Sequence, residues 1–173
     1  MCSPRPAPDS RMNTDRRRFL GDALAAGFAL TPLAALLAGC GGSGEFAEGM
    51  ADIKWDRDTC VRCSMAISDR RFAAEIRGGD KNTVFKFDDI GCAAFWLRDK
   101  AKDYPWLTEA TTRIWVADLS SRKDAMKWLD ARKAHYVGGK TSPMGYNYGA
   151  VSMPQPGALD FTDMRQHVLA KGK

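Results

Sequence analysis

The sequence predicts a small α+β domain made of two related β-β-α-β-like units, preceded by a removable export segment. Three observations predict it: short alternating apolar runs joined by glycine-rich turns, helically spaced apolar residues between them, and recurrence of these pieces in the second half. The first unit opens with Phe72-Ala73-Ala74-Glu75-Ile76-Arg77 as a strand. Gly78-Gly79-Asp80-Lys81-Asn82 forms the turn, and Thr83-Val84-Phe85-Lys86-Phe87 the hairpin partner. A helix follows to about Lys100, with Asp88 as its N-cap and Ile90, Ala93, Ala94 and Leu97 on one side. Pro105 and the polar residues after it break the chain before a third strand, Thr112-Arg113-Ile114-Trp115-Val116-Ala117.

The second unit takes the pieces in a shifted order. Ser120-Ser121-Arg122-Lys123-Asp124 opens a predicted helix that keeps Ala125, Trp128 and Leu129 together. Ala134-His135-Tyr136-Val137 reads as a strand ended by Gly138-Gly139, and a turn-rich loop from Lys140 to Gly145 leads to the strand Ala150-Val151-Ser152, stopped by Pro154 and Pro156. Asp160 or Thr162 caps a last helix through Met164, Val168 and Leu169. Trp55, Trp96, Trp106, Trp115 and Trp128 fall in separate elements, which suits packing better than a stacked ligand platform.

The first 39 residues follow a different logic. Asp15-Arg16-Arg17-Arg18-Phe19-Leu20 is a twin-arginine pattern, and the apolar stretch from Phe19 to Leu37 carries Asp22, Gly27, Thr31 and Pro32 inside it. It ends at Leu37-Ala38-Gly39-Cys40, which reads as a lipobox whose Cys40 is diacylated and becomes the mature N-terminus. The expected organisation is a twin-arginine-type lipoprotein signal over 1–39, a lipidated tether over 40–54 containing Gly41-Gly42-Ser43-Gly44-Glu45, and a folded domain over 55–173. Gly41 after the cysteine is unlike an inner-membrane retention signal, so the expected location is the periplasmic face of the outer membrane. Residues 1–11 fit no export signal, which makes Met12 the candidate start codon and leaves Cys2 without a role.

Loss of residues 1–39 removes five basic and three acidic side chains, so the formal charge falls from +5 to +3. The basic residues are interspersed, and nucleic acid is not an expected partner. The chain has no glycine-rich phosphate loop and no HExxH helix, and no Ser-His-Asp set stands out. Asp88-Asp89 is read as capping a helix start. No catalytic set is expected.

The chemistry is concentrated in Cys60-Val61-Arg62-Cys63-Ser64-Met65, two thiols and a thioether within reach of one ion. Soft sulfur donors suit copper(I) far better than magnesium, calcium or manganese. A disulfide with a core methionine is the other reading of the same spacing, and both stay open here. Cys92 lies between Gly91 and Ala93 on the predicted helix and reads as core, with completion of a zinc site beside Cys60 and Cys63 as the alternative. His135 is a secondary ligand candidate, and His167 reads as a surface residue.

Asp58-x-Cys60-x-x-Cys63-Ser64-Met65, Arg71-Phe72-Ala73-Ala74-Glu75-Ile76, Ala134-His135-Tyr136-Val137 and Met144-Gly145 together resemble the NosL family, lipoprotein copper chaperones associated with nitrous oxide reductase assembly. The resemblance runs from about Trp55 to Leu169. It implies a pair of β-β-α-β units and one copper(I) ion delivered to the copper sites of a periplasmic reductase, without redox turnover. It places the family's Cys-Gly-Met step on Cys63-Ser64-Met65, making Cys63 and Met65 the principal ligands, and Met144, His135 or Cys60 could complete the set. Ser64 departs from the family's glycine and removes backbone freedom between the ligands. The partners implied are nitrous oxide reductase or its assembly machinery, and a membrane through the lipid on Cys40. A thiol-disulfide oxidoreductase, or a zinc-binding module using Cys60 and Cys63, is the alternative function.

Overall fold

The computed structural model describes residues 45–122 and 124–172. The export signal and Cys40 lie outside the described residues. Strands β1 (Ala74–Gly78), β2 (Thr83–Phe87), β3 (Arg113–Ala117) and β4 (Trp128–Asp130) form one antiparallel sheet in the order β2-β1-β3-β4. Helix α1 (Ile90–Asp99) connects β2 to β3. Strands β5 (His135–Val137) and β6 (Gly149–Val151) pair as a second antiparallel sheet, and helix α2 (Phe161–Ala170) packs against α1. This is an α+β fold.

Period-two alternation decides which residues face the helices. Ala74 and Ile76 of β1 align with Phe87 and Phe85 of β2 and with Val116 and Ile114 of β3, and all six enter the main core beneath α1. The intervening residues, Glu75, Lys86 and Trp115, point to the opposite face. There Phe46, Met50 and Ile53, from the segment expected as a tether, join Trp55, Ile67, Ala73 and Trp128 in a second apolar cluster against the sheet. Trp55 and Trp128 stack with ring centroids 6.4 Å apart. Arg77 Nη1 donates to the Gly49 carbonyl and Arg113 Nη2 to that of Glu48, so the segment is held by hydrogen bonds as well as by burial.

The first β-β-α-β unit matches the expectation closely. The helix expected to open at Ser120-Ser121 does not form, because Trp128–Asp130 is strand β4, paired with Trp115, Val116 and Ala117. Two local forces explain the change. Asp118 Oδ1 accepts from both the backbone N–H and the hydroxyl of Ser120, a turn that competes with helix, and the open edge of β3 offers a hydrogen-bond ladder to the residues after it. The second unit is therefore β5-β6-α2, with β4 added to the first sheet. The two units are linked where the backbone N–H of Leu119 donates to the Ala150 carbonyl at 2.8 Å. The last helix begins as expected, with Asp160 accepting from the N–H of Asp163.

Candidate metal centre

The segment Asp58 to Ile67 folds back on itself. The Cys60 N–H donates to the Met65 carbonyl at 2.8 Å, the Ser64 N–H to the Cys60 carbonyl at 2.8 Å, and the Ile67 N–H to the Asp58 carbonyl at 2.9 Å. Closing so short a loop requires one left-handed residue, and it is Ser64, with φ of 61°. The hairpin docks on the outer edge of the sheet: the Val61 N–H donates to the Lys86 carbonyl, and the Lys86 ammonium reaches Asp58 Oδ2 at 2.6 Å. That hydrogen bond from Lys86 holds the Asp58 carboxyl below its usual range.

This docking brings the hairpin to the point where β2 gives way to α1. Ligand atoms of Cys60, Cys63, Asp88 and Cys92 all lie within 4.8 Å of one another, and among the described residues this is the donor group that converges. All three cysteines are free thiols. Cys60 is 1% exposed and Cys92 0%, whereas Cys63 is half-buried and forms the way in. The Cys63 thiol donates to Asp88 Oδ1 at 3.4 Å, and Asp88 Oδ2 is buried without a hydrogen-bond partner.

The electrostatics distinguish the three thiols. A hydrogen bond from Cys92, with backbone N–H groups of Cys63, Asp88 and Arg62 aimed at the sulfur, pulls Cys60 down to about 4 despite burial. Burial pushes Cys63 up to about 12 and Asp88 up to about 6, and the hydrogen bond to Cys60 together with burial holds Cys92 protonated.

One sequence expectation is corrected here. Asp89, not Asp88, caps α1, with its Oδ1 accepting the Gly91 N–H at 2.8 Å. That frees Asp88 to face the thiols. Cys92 is buried as expected of core, but its thiol is also part of the donor cluster. Asp88 is the donor the sequence reading missed: α1 is entered through two aspartates, and one can turn inward when the other caps.

The second unit closes over this site. Asp89 Oδ2 accepts from the Ser142 hydroxyl at 2.6 Å and from the Met144 N–H at 3.2 Å, which pins the loop after β5 to the start of α1. Arg62, inside the Cys-x-x-Cys step, donates to the Tyr146 hydroxyl at 2.9 Å and sits 4.2 Å over the Phe95 ring. Tyr146 lies so close to α1 that a Cβ on Gly91 would stand 2.1 Å from its ring. Met144 is partly buried against the main core, and Met65 is 46% exposed on the hairpin. His135 lies half-buried on β5, opposite Val151, and its imidazole is not among the four converging groups. His167 is on α2, where Nδ1 meets the Tyr148 hydroxyl at 3.1 Å.

Comparison with solved structures lists the crystal structure of the copper chaperone NosL from Shewanella denitrificans, at 20% identity and a TM-score of 0.45, covering 72% of this chain and 89% of that one. No curated protein matches the chain. The family model NosL matches residues 53–166, the span that holds the hairpin, both sheets and the start and middle of α2. The chain belongs to the NosL family.

Proposed function

We propose that this protein is a copper(I) chaperone, a carrier and not an enzyme, in which the Cys63 thiolate and the Met65 thioether are the principal ligands. The observation that carries the reading is the pairing of a half-buried thiol with an exposed thioether two residues later, on a hairpin held at the edge of a rigid sheet. A carrier must bind its cargo tightly yet surrender it to a partner. A neutral thioether at the surface is the weaker of the two bonds and can be replaced first by an incoming ligand, while the thiolate holds the ion until the exchange is complete. Cys60, whose sulfur lies within 4.8 Å of that of Cys63, or Met144, on the loop pinned to Asp89, would complete the set; His135 on β5 is the weaker candidate. The recipient is the copper site of nitrous oxide reductase or its assembly machinery, and acylated Cys40 would hold the domain at the periplasmic face of the outer membrane, in reach of that client.

The oxidoreductase alternative needs an accessible attacking thiolate. Cys60, the first cysteine of the Cys-x-x-Cys step, is 1% exposed, so the geometry argues for holding a metal over exchanging disulfides.

Anaerobic titration of the reduced protein with copper(I) against a chromogenic chelator tests the reading. One-to-one binding should weaken by about a hundredfold or more in Cys63→Ser and by about tenfold in Met65→Leu, with circular dichroism unchanged. Unaltered copper affinity in Met65→Leu removes Met65 from the ligand set, and no binding by the wild type ends the chaperone reading.

A further inference from the structure

The copper reading makes no use of the far end of α1, where the chain encloses a cleft of about 230 Å³. Leu97, in the last turn of α1, lines it together with Leu107, Ile114 and Phe161, and each of the four is at most 7% exposed. Arg132, in the turn after β4, and Arg165, on α2, line the same cleft. It therefore lies where α1 and β3 of the first unit meet α2 of the second. The sulfur motif is elsewhere, since Cys92 is in the first turn of α1.

The two arginines meet without a carboxylate between them. Arg165 Nε is buried and has no acceptor among the described residues, and its guanidinium carbon lies 5.5 Å from the centre of the Phe161 ring. Burial, and after it the Arg132 charge, hold the Arg165 guanidinium below its usual range, and no acid offsets them. Arg132 commits its fork to neutral backbone: Nη1 donates to the Thr112 carbonyl, and Nη2 to that of Glu109 at 3.3 Å. The carboxylates nearest in sequence are engaged elsewhere. Asp130 accepts the backbone N–H of Arg132 and faces Lys133 at 3.8 Å, while Glu109 accepts the Thr111 hydroxyl. Burying a guanidinium N–H without an acceptor, beside a second cation, is unfavourable unless an anion reaches it.

The rest of the lining decides what kind of anion. An inorganic ion would satisfy the arginines and leave the apolar residues against water, and a neutral apolar molecule would leave the guanidinium N–H without an acceptor. The Thr108 hydroxyl, which also lines the cleft, already donates to the Pro105 carbonyl at 2.9 Å and asks nothing of a ligand. A carboxylate matches the planar guanidinium fork with two oxygens. At about 30 Å³ for each non-hydrogen atom, the share a water takes in the liquid, the cleft has room for about eight. We propose that this cleft binds a small amphipathic monocarboxylate, of the size of hexanoate, with its carboxylate held by Arg165 and Arg132 and its alkyl chain on Leu97, Leu107, Ile114 and Phe161. The ligand would join the two units at a second point, and the site stands whether or not the copper reading does.

Titration of the full reduced chain with hexanoate, followed by nitrogen–proton NMR of the arginine side chains, tests the site. The Arg165 Nε–H signal, identified by its loss in Arg165→Lys, should move on saturable one-to-one binding with a Kd on the order of 0.1–1 mM. Acetate, which keeps the charge, and hexanol, which keeps the chain, should each bind at least about tenfold more weakly. Arg165→Gln should weaken hexanoate binding by about tenfold or more, and Arg132→Gln by about threefold. Arg132 is exposed, so Arg132→Gln decides the matter if Arg165→Gln fails to fold. Met65→Leu should leave the titration unchanged. An Arg165 signal that stays in place up to about 20 mM hexanoate, well above the expected Kd, overturns the site. Acetate binding as tightly as hexanoate overturns the part given to the apolar lining, and hexanol binding as tightly overturns the part given to the arginines.

Discussion

Asp88, at the junction of β2 and α1, and Glu75, in the middle of β1 on the opposite face of the sheet, are built alike and surrounded differently. Each is at most 1% exposed, and each has one carboxylate oxygen that accepts a hydrogen bond and a second buried without a partner. Asp88 takes its bond from the Cys63 thiol, and Glu75 takes its bond from the Ala51 N–H at 2.9 Å, beneath the segment that runs toward the N-terminus. Around Asp88 are three sulfur donors. Around Glu75 are Lys86 and Arg77, whose charges only partly offset desolvation, so its carboxyl rises from 4.5 to about 7. A buried carboxylate is therefore not a site in itself. What makes one a candidate ligand is the convergence of other donors on the same point; without them it is a pH-dependent weakness in the packing.

The strongest way to break the first region without touching a donor is Gly91→Ala. The new methyl group would collide with Tyr146, which cannot yield because it carries the link to Arg62, and the expected loss is about 3 kcal/mol in chemical denaturation. Copper(I) affinity should fall with it, since the loop bearing Met144 is lifted from α1. A loss under about 1 kcal/mol would show that the second unit is not held at this point.

The second region is sharpened by Glu75→Gln. Folding raises the pKa of this acid, so it favours the protonated form. The contribution is unpenalised below pH 4.5, stability is lost as the pH rises from 4.5 to about 7, and the loss is constant above that. Glutamine keeps an acceptor for Ala51 and cannot ionise. It should raise stability at pH 8 by on the order of 2 kcal/mol, a figure reduced from the full shift to allow for solvent and the neighbouring cations, and should have little effect at pH 4. Copper(I) binding should be untouched. Thermal melts at the two pH values decide it: an equal change at both would mean that ionisation of Glu75 is not what weakens the sheet.

The smallest effect is expected at Ser64. Its left-handed backbone costs a serine about 1–2 kcal/mol, and glycine would relieve that but lose more freedom on folding, so Ser64→Gly should gain about 0.5 kcal/mol. Copper(I) affinity should stay within about twofold, because the hairpin already has the required shape. A loss of stability would mean that the serine makes a compensating contact.

Much of this was legible in the residues alone. The alternation in Ala74 to Gly78 and Thr83 to Phe87, the glycine turn between them and the apolar spacing of α1 specify the first unit, because those signals are local. The Ser120 segment was misread for the same reason: its helical spacing is local, but the vacant edge of β3 that claims Trp128 to Asp130 is not. At the site, Cys60, Cys63 and Met65 announce soft-metal chemistry by their spacing. Asp88 is not legible as a donor because its position reads as a cap, and Cys92 is legible as core with a donor role only as the alternative. Spacing along the chain determined that this protein carries a sulfur motif suited to copper(I). Only the tertiary structure, by docking the hairpin on Lys86 at the edge of β2 and giving the cap to Asp89, brought a third thiol and a carboxylate to it, since donors more than twenty residues apart meet only when the intervening chain has paid its loop entropy and packed.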